Sequence, residues 1–169
     1  TVGATAIAAT GTDNTITNSG SITANGVSSD GIFSNGNNAT ITNSGTINAG
    51  DDGIASAGDD AIITNSGIIN GAFGIYSVGT NTTINNSGTI TANKAVRGGF
   101  ADGLTLNLLK GSQLMGAIDL RGAGDNDTVN IHGGSVSATL TLLNTENINL
   151  LGPGLKLSGD VVAVSVDGT

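Results

Sequence analysis

The sequence predicts an all-β protein, a right-handed, single-stranded parallel β-helix with about 21–25 residues per coil and three short strands in each. Three observations carry this expectation. First, an Asn-Ser-Gly signature behind a β-branched strand recurs as Ile16-Thr17-Asn18-Ser19-Gly20, Ile41-Thr42-Asn43-Ser44-Gly45, Ile63-Thr64-Asn65-Ser66-Gly67 and Ile84-Asn85-Asn86-Ser87-Gly88. Its isoleucines are 25, 22 and 21 residues apart, a spacing proper to stacked solenoids. Second, further motifs keep step with it: Gly31-Ile32-Phe33-Ser34, Gly53-Ile54-Ala55-Ser56 and Gly74-Ile75-Tyr76-Ser77, with Ile7 and Val96 in the same column. Third, the chain is 37% hydrophobic but only 2% aromatic, so its core is aliphatic and thin, as in a narrow tube.

Each coil opens on the Asn-Ser-Gly strand. If its isoleucine faces inward, Asn18, Asn43, Asn65 and Asn86 also face inward, two residues on. Coils stack about 4.8 Å apart, so these amides can hydrogen-bond up the tube as a structural asparagine ladder. A second strand follows the glycine: Ser21-Ile22-Thr23, Thr46-Ile47-Asn48, Ile68-Ile69-Asn70 and Thr89-Ile90-Thr91. The third strand carries Ile32, Ile54, Ile75 and Val96. From this column to the next first strand the count is nine residues in each of the first four cases, so length changes fall in the second turn, where variable loops are expected. The turn after the third strand holds Gly11, Gly36, Gly58 and Gly79, with Asp13, Asn38, Asp60 and Asn81 two residues on. There glycine is expected to supply positive φ and the Asx side chains to cap their own turns. Residues 1–99 form this regular part. Residues 100–169 continue the tube with Leu-rich, less regular coils such as Leu104-Thr105-Leu106-Asn107-Leu108 and Thr128-Val129-Asn130-Ile131. Gly and Asn density and the lack of a 3.6-residue apolar period exclude a helical fold.

Net charge is −8, and residues 1–93 contain six aspartates with no Lys or Arg. Nucleic acid is therefore excluded as a partner on charge grounds. The absence of Cys excludes disulfides and thiol metal sites. No stretch has the length and polarity of a membrane-spanning helix or a signal peptide.

The stacked Ile-Thr-Asn-Ser-Gly units, followed by Gly-Ser-Gln-Leu-Met-Gly-Ala-Ile-Asp-Leu (111–120) and Asp-Asn-Asp-Thr-Val-Asn-Ile-His-Gly-Gly-Ser-Val (125–136), resemble the passenger region of Gram-negative autotransporters. Thr145-Glu146-Asn147-Ile148-Asn149-Leu150 is similar to the stretch near the end of such passengers. The resemblance covers nearly the whole chain. It implies a parallel β-helix exported through the outer membrane by its own C-terminal β-barrel, then displayed at the cell surface or secreted. It further implies a non-enzymatic role in adhesion or host-cell interaction, with a host surface protein or glycan as partner. A soluble passenger acting as a ligand for a host receptor is the alternative within this class. Lacking both barrel and signal peptide, the sequence is expected to be an excised passenger fragment. A cut solenoid is expected to self-associate through its ends.

No catalytic residue is expected. His132 is the single histidine, and no Gly-x-Ser-x-Gly elbow accompanies it. A glycan-active β-helix enzyme would need Asp gathered with Arg97, Arg121 or a Lys on one concave face. No cofactor is expected, calcium being the one candidate. Asp125, Asn126 and Asp127 resemble a calcium-binding nonapeptide turn, and the Asp51-Asp52 pair, with Asp59-Asp60, is a second cation candidate. An Asx-rich turn and a solvated acidic edge are the simpler accounts. The candidate binding stripe is the outward column Ala8, Phe33, Ala55, Tyr76 and Arg97, with Phe33 and Tyr76 two coils apart and Arg97 in cation–π reach of Tyr76. The competing expectation is that these rings pack beneath Phe73 or Phe100. Outward threonines at 15, 17, 40, 42, 64 and 83 make an ice-binding array the remaining alternative, interrupted by Ile62 and Asn85.

Overall fold

The computed structural model describes residues 4–99, 103–120, 126–132, 135–137, 141–143, 145, 147–151, 156–158 and 162–164. Among them the chain is all strand and turn, wound into a parallel β-solenoid of about six turns. It opens with β1 (Ile7–Thr10), β2 (Thr15–Asn18), β3 (Ser21–Ala24) and β4 (Ile32–Asn35). The next coils supply β5 (Thr40–Asn43), β6 (Thr46–Ala49), β7 (Asp52–Ser56), β8 (Ile62–Asn65), β9 (Ile68–Asn70) and β10 (Phe73–Ser77). They continue through β11 (Thr83–Asn86), β12 (Thr89–Gly98), β13 (Thr105–Leu108), β14 (Gln113–Leu120) and β15 (Thr128–His132). Short strands follow: β16 (Ser135–Ser137), β17 (Thr141–Leu143), β18 (Asn147–Leu151), β19 (Lys156–Ser158) and β20 (Val162–Val164).

One seven-stranded sheet stacks the first strands in the order β18-β15-β13-β11-β8-β5-β2. A larger sheet follows the third strands, β1-β4-β7-β10-β12-β14-β17-β20, and the second strands β3-β6-β9 join it through β12. Register is strict. Ile16, Ile41, Ile63, Ile84, Leu106 and Val129 stack in one column, and Ile32, Ile54, Ile75, Val96 and Ile118 in another. Most of these side chains are fully buried. Each such burial is worth roughly 1.5–3 kcal/mol, which is how a core without rings holds the tube.

Two expectations about the corners are corrected. Of Gly11, Gly36, Gly58 and Gly79 in the turn after the third strand, only Gly11 has positive φ, and the residues that repeat the left-handed conformation from coil to coil are Asp13, Asn38, Asp60 and Asn81 (φ 55–59°). Short polar side chains tolerate that region. The glycines are needed for a different reason. A Cβ on Gly36, Gly58 or Gly79 would overlap the carbonyl oxygen of the glycine one coil below. Nor do the left-handed Asx side chains of the inner coils cap their own turns. Asn38 Nδ2 donates to Asp13 Oδ1 (3.1 Å) and Asn81 Nδ2 to Asp60 Oδ1 (3.2 Å), tying neighbouring coils.

At the second corner, among the coils up to β12, the one long connection lies between β3 and β4, where Val27 is exposed. The corner then shortens until second and third strands fuse. β12 runs through it with register shifts around Lys94, and β14 does the same. Three strands per coil therefore become two. The distance from second- to third-strand core residue falls from ten between Ile22 and Ile32 to six between Ile69 and Ile75, where a two-residue turn remains, and the same six between Ile90 and Val96 pass as continuous strand bulged against β14.

Candidate binding site

The inward asparagines form a continuous ladder. Asn18 Nδ2 donates to Asn43 Oδ1 (2.7 Å), Asn43 to Asn65 (2.8 Å) and Asn65 to Asn86 (2.8 Å). Asn86 Nδ2 then meets the Ser112 hydroxyl (3.3 Å), which closes the series where no asparagine follows. All four amides are buried and none is left unpaired, so this column holds coils together and presents nothing to a ligand. A second ladder, not anticipated from the sequence, runs on the outside of the first-strand sheet. Asn107 donates to Asn85 (2.8 Å), Asn130 to Asn107 (2.9 Å) and Asn149 to Asn130 (2.9 Å). It continues the column that holds Thr17, Thr42 and Thr64 in the earlier coils. The Thr array therefore gives way to asparagine after three coils, and Ile62 stands exposed in the neighbouring column.

The third-strand sheet carries the candidate site. Its outward column is Ala8, Phe33, Ala55, Tyr76, Arg97 and Asp119, in register from β1 to β14. Ala55 thus lies between two rings one coil away on either side, which puts Phe33 and Tyr76 about 10 Å apart. The short side chain leaves a slot of about 110 Å³ lined by Phe33, Tyr76, Val78, Asp30 and Asp52, with Ala55 as its floor. It runs along β7, acidic at the Asp52 end and apolar beyond. Both rings are half-buried rather than free in solvent. Phe73 is linked to Tyr76 through a cation: the Arg97 guanidinium carbon is 4.9 Å from the Phe73 centroid and 4.7 Å from that of Tyr76. Phe100 lies outside the described residues.

Asp52 departs from the expected solvated acidic edge. It stacks against Phe73 in the next coil and is 9% exposed, and its Oδ1 has no hydrogen-bond partner. Burial pushes its carboxyl up to about 7, with the charges of Asp30 and Asp51 adding to the rise and Arg97 opposing it. Burial also raises Asp30, against a hydrogen bond from the Asp52 N–H to Asp30 Oδ1 (3.3 Å). Asp59 and Asp60 belong to the opposite corner, where Asp59 Oδ1 accepts the Thr80 N–H (2.8 Å), a bond that holds its carboxyl below the ordinary value.

Lys94 and Arg97 stand on the same face as Asp52 through β12, and Lys94 Nζ pairs with the fully buried Asp119 carboxylate. Arg97 Nε is buried without a partner. The calcium candidates find no metal geometry: among the described residues no group of three or more His, Cys, Asp or Glu side chains is arranged to hold an ion. Asp127 is buried, and its Oδ1 accepts the Leu104 N–H (2.7 Å). Asn126 precedes it, and Asp125 and Arg121 lie outside the described residues.

The buried state of Asp52 is what sequence reasoning missed. The signal available was its position opposite Phe73 in the period, three residues before Ala55. No protein family, curated protein or solved structure matches the chain.

Proposed function

We propose that this chain is a non-enzymatic binding segment of an autotransporter passenger, displayed at or released from a Gram-negative cell surface, and that it engages a host-cell protein or glycan through the third-strand face. The observation that carries the proposal is the Phe33–Ala55–Tyr76 slot. Aromatic rings on an otherwise ring-poor solenoid, separated by a small residue and flanked by charge, make a recognition feature that the scaffold itself does not need. The resemblance in the repeat and in residues 111–150 supports the passenger assignment. A β-barrel translocator encoded in the same reading frame is the expected genetic context.

The test is the double substitution Phe33→Ala with Tyr76→Ala. Binding to host cells or to a glycan array is expected to fall at least tenfold while far-ultraviolet circular dichroism stays β-rich. Unchanged binding would sink the proposal.

A glycan-active groove is the second reading, favoured by Asp52 and Arg97 sharing one face. New reducing ends after incubation with surface polysaccharides, lost in Arg97→Gln, would establish it in place of simple binding.

A further inference from the structure

We infer that the slot over Ala55 receives a lysine side chain presented by a protein partner, its methylene stem lying between Phe33 and Tyr76 and its ammonium meeting the Asp52 carboxylate beside Asp30. The inference rests on the binding-face reading above and gives it a ligand chemistry.

Size comes first. The cavity is about 110 Å³, well below the roughly 300–1,000 Å³ of small-molecule pockets. It fits one side chain. Shape agrees: the slot is the space of a single missing side chain, because Ala55 stands where the coils on either side carry rings.

Chemistry then selects the occupant. Phe33, Ala55 and Tyr76 offer apolar walls to an alkyl stem, and the Asp52 end offers charge. Asp52 Oδ1 is buried without a partner, and Asp30 and Asp51 add like charge around it. An unpaired buried carboxylate is costly, and a cation placed on it removes the cost. Among the described residues no cation forms an ion pair with it, and Arg97 only opposes its rise through its charge. Residues 1–93 hold no Lys or Arg. Arg97 is engaged by the Phe73 and Tyr76 rings, and the one ion pair among the described residues is Lys94–Asp119. A metal ion lacks its ligand set here. Between the organic cations, ammonium fits better than guanidinium. The ammonium is the more compact charge on an unbranched stem, which suits a slot of about 110 Å³ better than a planar guanidinium.

Tyr76 makes the test direct. It is the only tyrosine and the chain has no tryptophan, so intrinsic fluorescence reports on the slot wall. The probes are acetyl-Gly-Lys-Gly-amide, the same peptide with Nε-acetyl-lysine, and the same peptide with arginine. A saturable Tyr76 response to the lysine peptide is expected, at least tenfold weaker with acetyl-lysine. Asp52→Asn and Ala55→Leu, which removes the charge and fills the slot respectively, are each expected to weaken it at least tenfold with unchanged circular dichroism. The response should also weaken as pH falls below about 7, because Asp52 takes up a proton amid Asp30, Asp51 and Arg97. Equal binding of the acetylated peptide, tighter binding of the arginine peptide, or full binding by Asp52→Asn would each overturn the assignment. If the Phe33→Ala/Tyr76→Ala variant loses host binding while Asp52→Asn and Ala55→Leu keep it, the lysine inference fails and the binding face stands.

Discussion

The first-strand column and the third-strand column of this solenoid are built on the same period, yet they treat polar groups in opposite ways. Along the first, every buried amide from Asn18 to Asn86 has its partner one coil away. Along the third, Asp52 Oδ1, Arg97 Nε and the Ser34 and Ser56 hydroxyls are buried without one. Reach explains the difference together with repetition. An amide carries its donor and acceptor on different atoms and so bridges from each copy to the next. The Ser34 and Ser56 hydroxyls also repeat in register, but each has a single short-stemmed oxygen and stays unpaired, while the Asp52 carboxylate only accepts and finds Phe73 as its neighbour. The regular column is scaffold. The irregular one retains unmet hydrogen-bonding capacity, and that is where recognition is to be sought.

The strongest way to break the contrast is Asn65→Ala. It strands the Asn86 acceptor and leaves the Asn43 donor only its long contacts to the Gly45 and Ile68 carbonyls, and a loss of roughly 2–6 kcal/mol is expected at about 1–3 kcal/mol per group. Asn18→Ala, at the end of the ladder, strands the Asn43 acceptor and the partly buried Gly20 N–H, outside the middle of the core, and should cost less. Urea unfolding of the two variants checks the ratio. Equal losses would mean that the ladder does not act as a chain.

Asp52→Asn should act in the other direction. The folded carboxyl titrates near 7 against an ordinary 3.8, so between these values the folded state holds a proton that the unfolded chain has released. Wild-type stability therefore falls as pH rises through this window and stays low above it. The variant should be more stable than wild type at pH 8, by about 1–3 kcal/mol for an unpaired buried group. Below about pH 3.8, where Asp52 is neutral folded and unfolded alike, the two should nearly coincide. A gain of equal size at both pH values would show that charge is not the cause.

The smallest expected effect sharpens the comparison within the third column. Ser77 Oγ shares a hydrogen bond with Thr82 (2.7 Å), whereas Ala39 and Ala61 stand in place of Thr82 in the coils of Ser34 and Ser56. Ala61→Thr should give Ser56 its missing partner and stabilise by about 0.5–1.5 kcal/mol. A loss on thermal unfolding would mean that the site is already filled.

Much of the fold was legible because a solenoid repeats its evidence. Isoleucines at a fixed period placed the core columns, and the position of Asn18 and its equivalents two residues later placed the ladder. The corners were harder to read. Gly36 and Asn38 are both residues that accept positive φ, and only the close approach of Gly36 to Gly11 decides which one adopts it. The fusion within β12 was not visible in the count, which is six both from Ile69 to Ile75, where two strands stay separate, and from Ile90 to Val96, where they join. At the candidate site, the outward column with Phe33, Tyr76 and Arg97 followed from alternation alone. The burial of Asp52 did not, because it depends on what neighbouring coils place around a residue that composition marks as solvent-seeking. The outer ladder from Asn85 to Asn149 was present as a periodic Asn and told only of continuity of the tube.

The notch at Ala55 has a consequence for the kind of selectivity this surface can exercise. Its walls stand on the two coils that are backbone-bonded to the coil of Ala55, so its width is set by the spacing of a parallel sheet and not by how side chains happen to relax. Little conformational entropy remains to be lost there when something enters, and little adjustment is available for a guest of the wrong thickness. Such a surface discriminates by gauge: it admits what is one strand spacing thick and gains nothing by yielding to anything broader.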